Sequence, residues 1–176
     1  MDPSEYLAFI PLLIYGLSIA DLLSEWKRFI NAKNFYFPYL LMTIIFIEVA
    51  IYNVFIYIKL VNDMQGKSYL SYLGCIFPTF IFLIMVKSFT PEDNDNTKTY
   101  FLKNRKIFFL LFSGFIASHF LYSFAENDVY LGASTGRMIS IVVITIAGFV
   151  KKDWIIYILG IIWFFMLLSR INVIST

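Results

Sequence analysis

The chain has few charged groups, one cysteine and one histidine among its 176 residues. Asp, Glu, Lys and Arg make up 15% of the sequence, whereas a typical soluble domain contains about 25%. The lone Cys75 excludes a scaffold held by internal disulfides. A net charge of +2 excludes a nucleic-acid binder that works through a strongly basic surface. The single His119 excludes a haem held by two histidines.

Apolar side chains dominate what is present. Hydrophobic residues form 60% of the chain and aromatic residues 20%, with a mean hydropathy of +0.75. A domain this short exposes much of its surface, so it cannot bury so much apolar area while dissolved in water. The same hydrophobicity excludes intrinsic disorder. The composition therefore predicts an all-α, polytopic membrane helix bundle.

Six apolar stretches have the length and spacing of transmembrane helices. A bilayer core about 30 Å thick needs roughly 20 apolar residues. The stretches cover approximately residues 6–24, 37–58, 69–87, 106–124, 131–150 and 154–169 of a single domain, 1–176. The fifth is long enough only if it includes Arg137, so five crossings with a re-entrant or tilted segment is the alternative.

Basic residues are distributed unequally between the predicted connections. Ten lie in the first, third and fifth connections, and four lie on the other side. Since cytoplasmic loops carry the excess of Lys and Arg, this distribution predicts both termini on the outer side of the inner (plasma) membrane.

Polar residues inside the spans indicate where a function could reside. Glu48 lies near the centre of the second span, where a charge costs about 2.5–3.5 kcal/mol on insertion scales. Tyr52 shares its helix face, whereas Asn53 lies on another. His119 and Arg137 enter their spans from the outer side at similar depth. We predict an outward-facing cluster of Glu48, Tyr52, His119 and Arg137 as a path for protons or a small cation.

Structural alternatives stay open for these residues. Glu48 could be a neutral carboxyl hydrogen-bonded between helices, and His119 a neutral ring bonded to a backbone carbonyl. Arg137 could extend its charged end to the outer surface. Asp21, near the inner end of the first span, is explained by an ion pair with its neighbours Lys27 or Arg28.

Pairs of small residues four apart allow helices to approach closely. The sequence offers three such pairs, Gly16/Ala20, Gly114/Ser118 and Gly136/Ser140. They are common by chance in membrane sequences, so each is either a true helix contact or incidental.

Two stretches of the chain form a recognisable combination. The first is Tyr15-Gly16-Leu17-Ser18-Ile19-Ala20-Asp21-Leu22-Leu23, followed by Trp26-Lys27-Arg28-Phe29-Ile30. The second begins with Pro91 and an acidic run and continues as Tyr100-Phe101-Leu102-Lys103-Asn104-Arg105-Lys106-Ile107-Phe108-Phe109. Together they resemble a widespread group of small bacterial integral membrane proteins without an assigned activity.

The second stretch is similar to the group's pattern Tyr-Phe-x-x-Asn-Arg-Arg-x-Phe-Phe, with Lys106 in place of the second Arg. The group's tryptophan-rich second span is missing, and Ile47-Glu48-Val49-Ala50-Ile51-Tyr52 stands there instead. The resemblance covers about the first two-thirds of the chain. It implies a fold and a bacterial origin, and it implies no activity.

Asn104, Arg105 and Lys106 lie at the predicted cytoplasmic mouth of the fourth span. Basic groups at this level can contact lipid phosphates or an acidic partner. The alternative is ordinary anchoring of a span by cytoplasmic basic residues.

No arrangement of residues typical of membrane proteases is recognisable, so we expect no catalytic residues, cofactor or metal. Glu48 favours a small channel or transporter subunit that conducts protons or a small cation and, having few spans, assembles as a homo-oligomer. One alternative is a non-conducting interaction or sensor module that binds a membrane protein or lipid. Another is a membrane-disrupting effector.

Overall fold

The computed structural model describes residues 3–31, 33–62, 68–92, 95–126 and 131–174, with side chains over 8–31, 33–57, 68–92, 95–121 and 135–168. Within these residues the secondary structure is helical, as the sequence predicts. Their helices are α1 (Pro3–Ser24), α2 (Trp26–Ile30), α3 (Phe37–Asn62), α4 (Tyr69–Phe89), α5 (Thr97–Glu126), α6 (Leu131–Phe149) and α7 (Trp154–Ile174).

Three described stretches are long and apolar enough to cross a membrane, namely Ala8–Ile30, Phe37–Tyr57 and Tyr69–Phe89. Two shorter apolar stretches are Thr135–Phe149 and Trp154–Leu168. These helices have the character expected of a membrane protein, and the number of crossings stays a prediction. Residues 63–67 and 127–130, in the second and fourth connections, lie outside the described residues.

Helix α5 begins at Thr97, nine residues before the predicted fourth span. Asn96 caps the N-terminus of α5, because its side-chain oxygen accepts a hydrogen bond from the backbone N–H of Thr99 at 3.2 Å. Phe101 and Arg105 are buried in these added turns, whereas Lys103 is exposed. The helix extends because this face packs against protein, which a search for uniformly apolar stretches does not detect.

The core is largely aromatic. Tyr39 of α3 stacks on Phe89 of α4, with ring centroids 4.5 Å apart, and Phe46 meets Phe112 of α5 edge-to-face at 5.2 Å. Edge-to-face and offset-stacked pairs are the favoured arrangements of aromatic rings. Helices α1, α3, α4 and α5 share this core, while α6 packs on α5 and α7 on α3.

Among the glycines whose surroundings are described, two lie tightly against a neighbouring helix, and neither belongs to the small-residue pairs. A Cβ on Gly148 of α6 would lie 2.9 Å from Phe109 Cβ, and one on Gly160 of α7 would lie 2.7 Å from a methyl of Leu41. A Cβ on Gly16, Gly114 or Gly136 would meet nothing within 4 Å. Close packing therefore occurs where α6 meets α5 and where α7 meets α3.

The first, third and fifth connections meet at one end of the bundle, which we call the basic end (described residues 25–31, 33–36, 90–92, 95–96 and 150–153). Arg28, which is 3% exposed, donates to the carbonyl oxygens of Asp95 at 2.8 Å, Pro91 at 3.2 Å and Glu92. Its guanidinium also pairs with buried Glu25. One side chain thus holds the connection between α4 and α5 against α2.

Two further contacts hold this end together. Lys87 of α4 pairs with Asp21 of α1 at 2.7 Å, so the ion pair expected for Asp21 exists but its partner is on another helix. The Tyr36 hydroxyl donates to Asp153 Oδ1 at 2.7 Å and joins the first connection to the fifth. Burial raises the pKa of Tyr36, and its hydrogen bond to the Asp153 carboxylate raises it further. The phenol therefore remains a donor at neutral pH.

Gly148→Ala should lower the free energy of unfolding by about 1–3 kcal/mol, because its methyl group would overlap the Cβ of Phe109. Gly114→Ala is the matched control. A methyl group at position 114 would meet no other atom within 4 Å. Because alanine favours a helix more than glycine does, Gly114→Ala should raise the free energy of unfolding by about 1 kcal/mol or less. Titration of both variants with a denaturing detergent measures the difference. Equal stabilities would contradict the close contact.

Arg28→Met should destabilise the protein by about 3–5 kcal/mol, since it leaves the buried Glu25 carboxylate without its cation. Lys27→Met changes an exposed neighbour and should alter stability by about 0.5 kcal/mol or less. Adding Glu25→Gln to Arg28→Met should recover part of the loss, because the unpaired buried charge is then removed. No recovery would mean that the backbone contacts of Arg28 outweigh its ion pair.

Candidate functional site

Glu48 lies near the middle of α3 and is half-buried. Its Oε2 accepts a hydrogen bond from Nε1 of Trp163 on α7 at 2.9 Å. A carboxylate and an indole N–H are both costly to bury without a partner, and each satisfies the other here. Glu48 therefore has a partner on a neighbouring helix, and that helix is α7.

Helices α3 and α7 run in the same direction along their contact. From the basic end outward, Tyr36 meets Asp153, Phe37 lies 5.9 Å from Tyr157 between ring centroids, Leu41 meets Gly160 and Glu48 meets Trp163. Sequence analysis did not single out Trp163. Its position was a usable signal, because a tryptophan away from the span ends needs an acceptor for its N–H.

His119 of α5 makes the second polar contact of α3. Its Nε2 lies 3.1 Å from Asn53 Oδ1, and its Nδ1 lies 2.8 Å from the carbonyl oxygen of Phe115. Asn53 follows Glu48 by five residues, which places the two side chains about 140° apart around the helix. One helix thus directs a carboxyl toward α7 and an amide toward α5.

The contacts of His119 bear on its protonation. A carbonyl oxygen can only accept, so Nδ1 must carry hydrogen, and Nε2 of a neutral ring is then an acceptor facing the Asn53 oxygen. Asn53 Nδ2 donates to Val49 O at 2.7 Å. Turning the Asn53 amide by 180° would replace this hydrogen bond with a contact between two oxygen atoms. All three contacts are satisfied together when both ring nitrogens of His119 are protonated.

The remaining two residues of the predicted cluster lie near these pairs. Tyr52 is half-buried one turn after Glu48. Arg137 of α6 is half-buried, and its guanidinium carbon lies 5.8 Å from the ring centroid of Phe120 on α5. The structure distributes the four residues between an α3–α7 contact, an α3–α5 contact and the α5–α6 side of the bundle.

A third pair of polar side chains joins α5 to α6. Thr145 Oγ1 donates to Ser113 Oγ at 2.9 Å, and Ser113 donates to the carbonyl oxygen of Ile141 at 3.4 Å. Among the residues with described side chains, no three or more His, Cys, Asp or Glu are grouped as metal ligands. The polar contacts described here are therefore hydrogen bonds between helices.

Arg105 is buried within the bundle, whereas we expected it to contact lipid or a partner. It is 1% exposed, with Nε donating to Ala147 O at 3.0 Å and Nη2 to Lys152 O at 3.3 Å. Because α5 begins at Thr97, Arg105 lies about two turns inside the helix and faces α6. It satisfies one carbonyl at the C-terminal end of α6, which has no partner within that helix, and one carbonyl in the connection that follows.

The neighbours of Arg105 differ in exposure. Lys106 is exposed, with Nζ 4.8 Å from the ring centroid of Phe149. Asn104 is half-buried. Of the three, Lys106 is thus the one whose charge reaches the surface.

Comparison of the chain with known protein families, curated proteins and solved structures finds no match to any of them.

The protonation of His119 can be measured directly, because it is the sole histidine in the chain. Nitrogen NMR of the ¹⁵N-labelled ring in lipid, recorded while the pH is lowered, should show a transition to a ring with both nitrogens protonated. Asn53→Leu removes one acceptor and should move that transition to lower pH. A ring that keeps one proton throughout, with no effect of Asn53→Leu, would contradict the interpretation.

Proposed function

We propose that the chain is a six-pass membrane protein of the plasma membrane, with both termini outside, that moves protons through a path in which Glu48 is the central acid. Support comes first from His119, whose two ring nitrogens both face hydrogen-bond acceptors. This is the observation that carries the proposal, since a histidine with an acceptor at each nitrogen has a partner for every proton that its ring can carry. Glu48 of α3 supplies a second titratable group, and its carboxyl accepts a hydrogen bond from Trp163 of α7.

The proposed orientation is supported by the distribution of charge at and near the basic end. All lysines with described side chains are exposed, and they lie in the connections at this end or in the helix turns next to them: Lys27, Lys33, Lys87, Lys98, Lys103, Lys106, Lys151 and Lys152. Cytoplasmic surfaces of membrane proteins carry this excess. The basic end is therefore assigned to the cytoplasm.

A non-conducting interaction module is the second candidate, and one observation favours it. Several hydroxyls within the helices donate to carbonyls of their own helix rather than toward a shared path. Ser18 donates to Ile14, Thr43 to Tyr39, Thr79 to Ile76 and Ser118 to Phe115, at 2.6–2.9 Å. A bundle of this kind would use its apolar surface to bind a membrane partner.

Proton flux into proteoliposomes distinguishes the two functions. Wild-type protein should collapse an imposed pH gradient, followed with an encapsulated pH-sensitive dye, and Glu48→Gln should lower the rate at least ten-fold. Glutamine keeps an oxygen that accepts from Trp163, so packing is preserved while the ionisable group is lost.

Trp163→Phe is the matched variant. It removes the hydrogen bond to Glu48 and keeps the carboxyl, so the flux should change by less than in Glu48→Gln. A folded wild-type protein without flux would reject the proposal and favour the interaction module. Equal flux in wild type and Glu48→Gln would reject Glu48 as the central acid.

A further inference from the structure

The end of α6 lies against α5 at Lys106. A Cβ on Gly148 would lie 3.7 Å from both the Cα and the carbonyl oxygen of Lys106, and the Lys106 ammonium lies 4.8 Å from the ring centroid of Phe149. Phe149 is 56% exposed. An ammonium and an exposed apolar ring therefore share one surface, where the last turn of α6 meets α5.

Two more lysines follow Phe149 in the connection to α7. Both of them, Lys151 and Lys152, are exposed. Arg105, the residue before Lys106, donates to the carbonyl oxygen of Lys152 at 3.3 Å and so holds this connection against α5. Lys106, Lys151 and Lys152 therefore lie around the same end of α6, and we call them the lysine cluster.

The charge of the lysine cluster is not neutralised by the described residues. The ion pairs described at the basic end involve other residues, and in the part of the chain with described side chains no carboxylate pairs with a lysine of the cluster. The one acidic residue of the connection, Asp153, accepts a hydrogen bond from Tyr36. The ring of Phe149 attracts the Lys106 ammonium but carries no net charge. Three ammonium groups beside one carboxylate make this surface positive.

The lysine cluster lies at the end of an apolar stretch, Thr135–Phe149. Ile146, one turn before Phe149, is 51% exposed. In the proposed six-pass arrangement this end of α6 lies at the level of the cytoplasmic headgroups, because charged side chains are costly within the hydrocarbon region. The surface thus offers ammonium groups on the headgroup side and apolar side chains on the hydrocarbon side.

We propose that the lysine cluster and Phe149 form a binding site for an anionic phospholipid. The ammonium groups bind the phosphate of the headgroup, while the exposed faces of Phe149 and Ile146 contact an acyl chain. A soluble phosphate would gain the charged contacts alone, whereas a lipid gains both sets, and for this reason we assign the site to lipid. The inference rests on the proposed membrane arrangement, but it does not depend on proton movement or on Glu48.

Native mass spectrometry of the purified protein in detergent tests the assignment. With equal amounts of phosphatidylglycerol and phosphatidylcholine present, the wild-type protein should retain the anionic lipid preferentially. Lys106→Gln should lower that preference about five-fold, the effect of one basic group near an anionic surface. Lys152→Gln should lower it as well. Phe149→Ala should lower the retention of phosphatidylglycerol at least two-fold, because the acyl chain loses the ring.

Lys103→Gln is the matched control, because Lys103 is exposed on the same helix one turn before Lys106 but lines a cleft with Glu92 and Asp95 instead. It should retain the wild-type preference within two-fold, as should Glu48→Gln, whatever the outcome of the flux measurement. Equal losses in Lys106→Gln and Lys103→Gln would overturn the site in favour of diffuse surface charge. Displacement of the lipid by an equal concentration of glycerol phosphate would overturn the assignment to lipid. Circular dichroism verifies that each variant remains helical.

Discussion

Two buried arginines hold the bundle together where its connections meet. Arg28 reaches the backbone of the connection after α4, and Arg105 reaches the end of α6 and the turn that follows it. A guanidinium carries five N–H donors in a planar fork, so one side chain can satisfy several carbonyls that have no partner within their own helix. Without these contacts, buried charges would oppose folding. The hydrogen bonds therefore determine which helix ends can lie side by side.

Lysine and arginine have separate structural roles here, although both count equally in an orientation rule. The described lysines are exposed, while Arg28 and Arg105 are buried and used on backbone oxygen atoms. Lysine has three donors on a strongly hydrated ammonium, which favours the surface. The charge that a membrane or a partner encounters at the basic end is therefore that of the lysines.

Helix positions were largely predictable because apolar runs of fixed length are a strong signal. The start of α5 was not, since the turns before Lys106 alternate buried aromatic and exposed charged residues. The site was predictable in part: Glu48 and His119 are unusual within spans, but their partners depend on helix rotation. Sequence analysis gave Asn53 no role because it lies on a different face of α3 from Glu48. That different face is the one that meets α5, so Asn53 contacts His119. Gly148 and Gly160 likewise acquire their role from neighbours on other helices.

The position of both polar pairs on α3 limits how a proton could move. Glu48 and Asn53 are five residues apart, so their backbone positions differ by about 7.5 Å along the helix axis and by about 140° around it. That separation exceeds a single hydrogen bond. Transfer between His119 and Glu48 would therefore require intervening water or a movement of α3. Because α7 packs against α3 along Leu41 and Glu48, a movement of α3 would carry α7 with it.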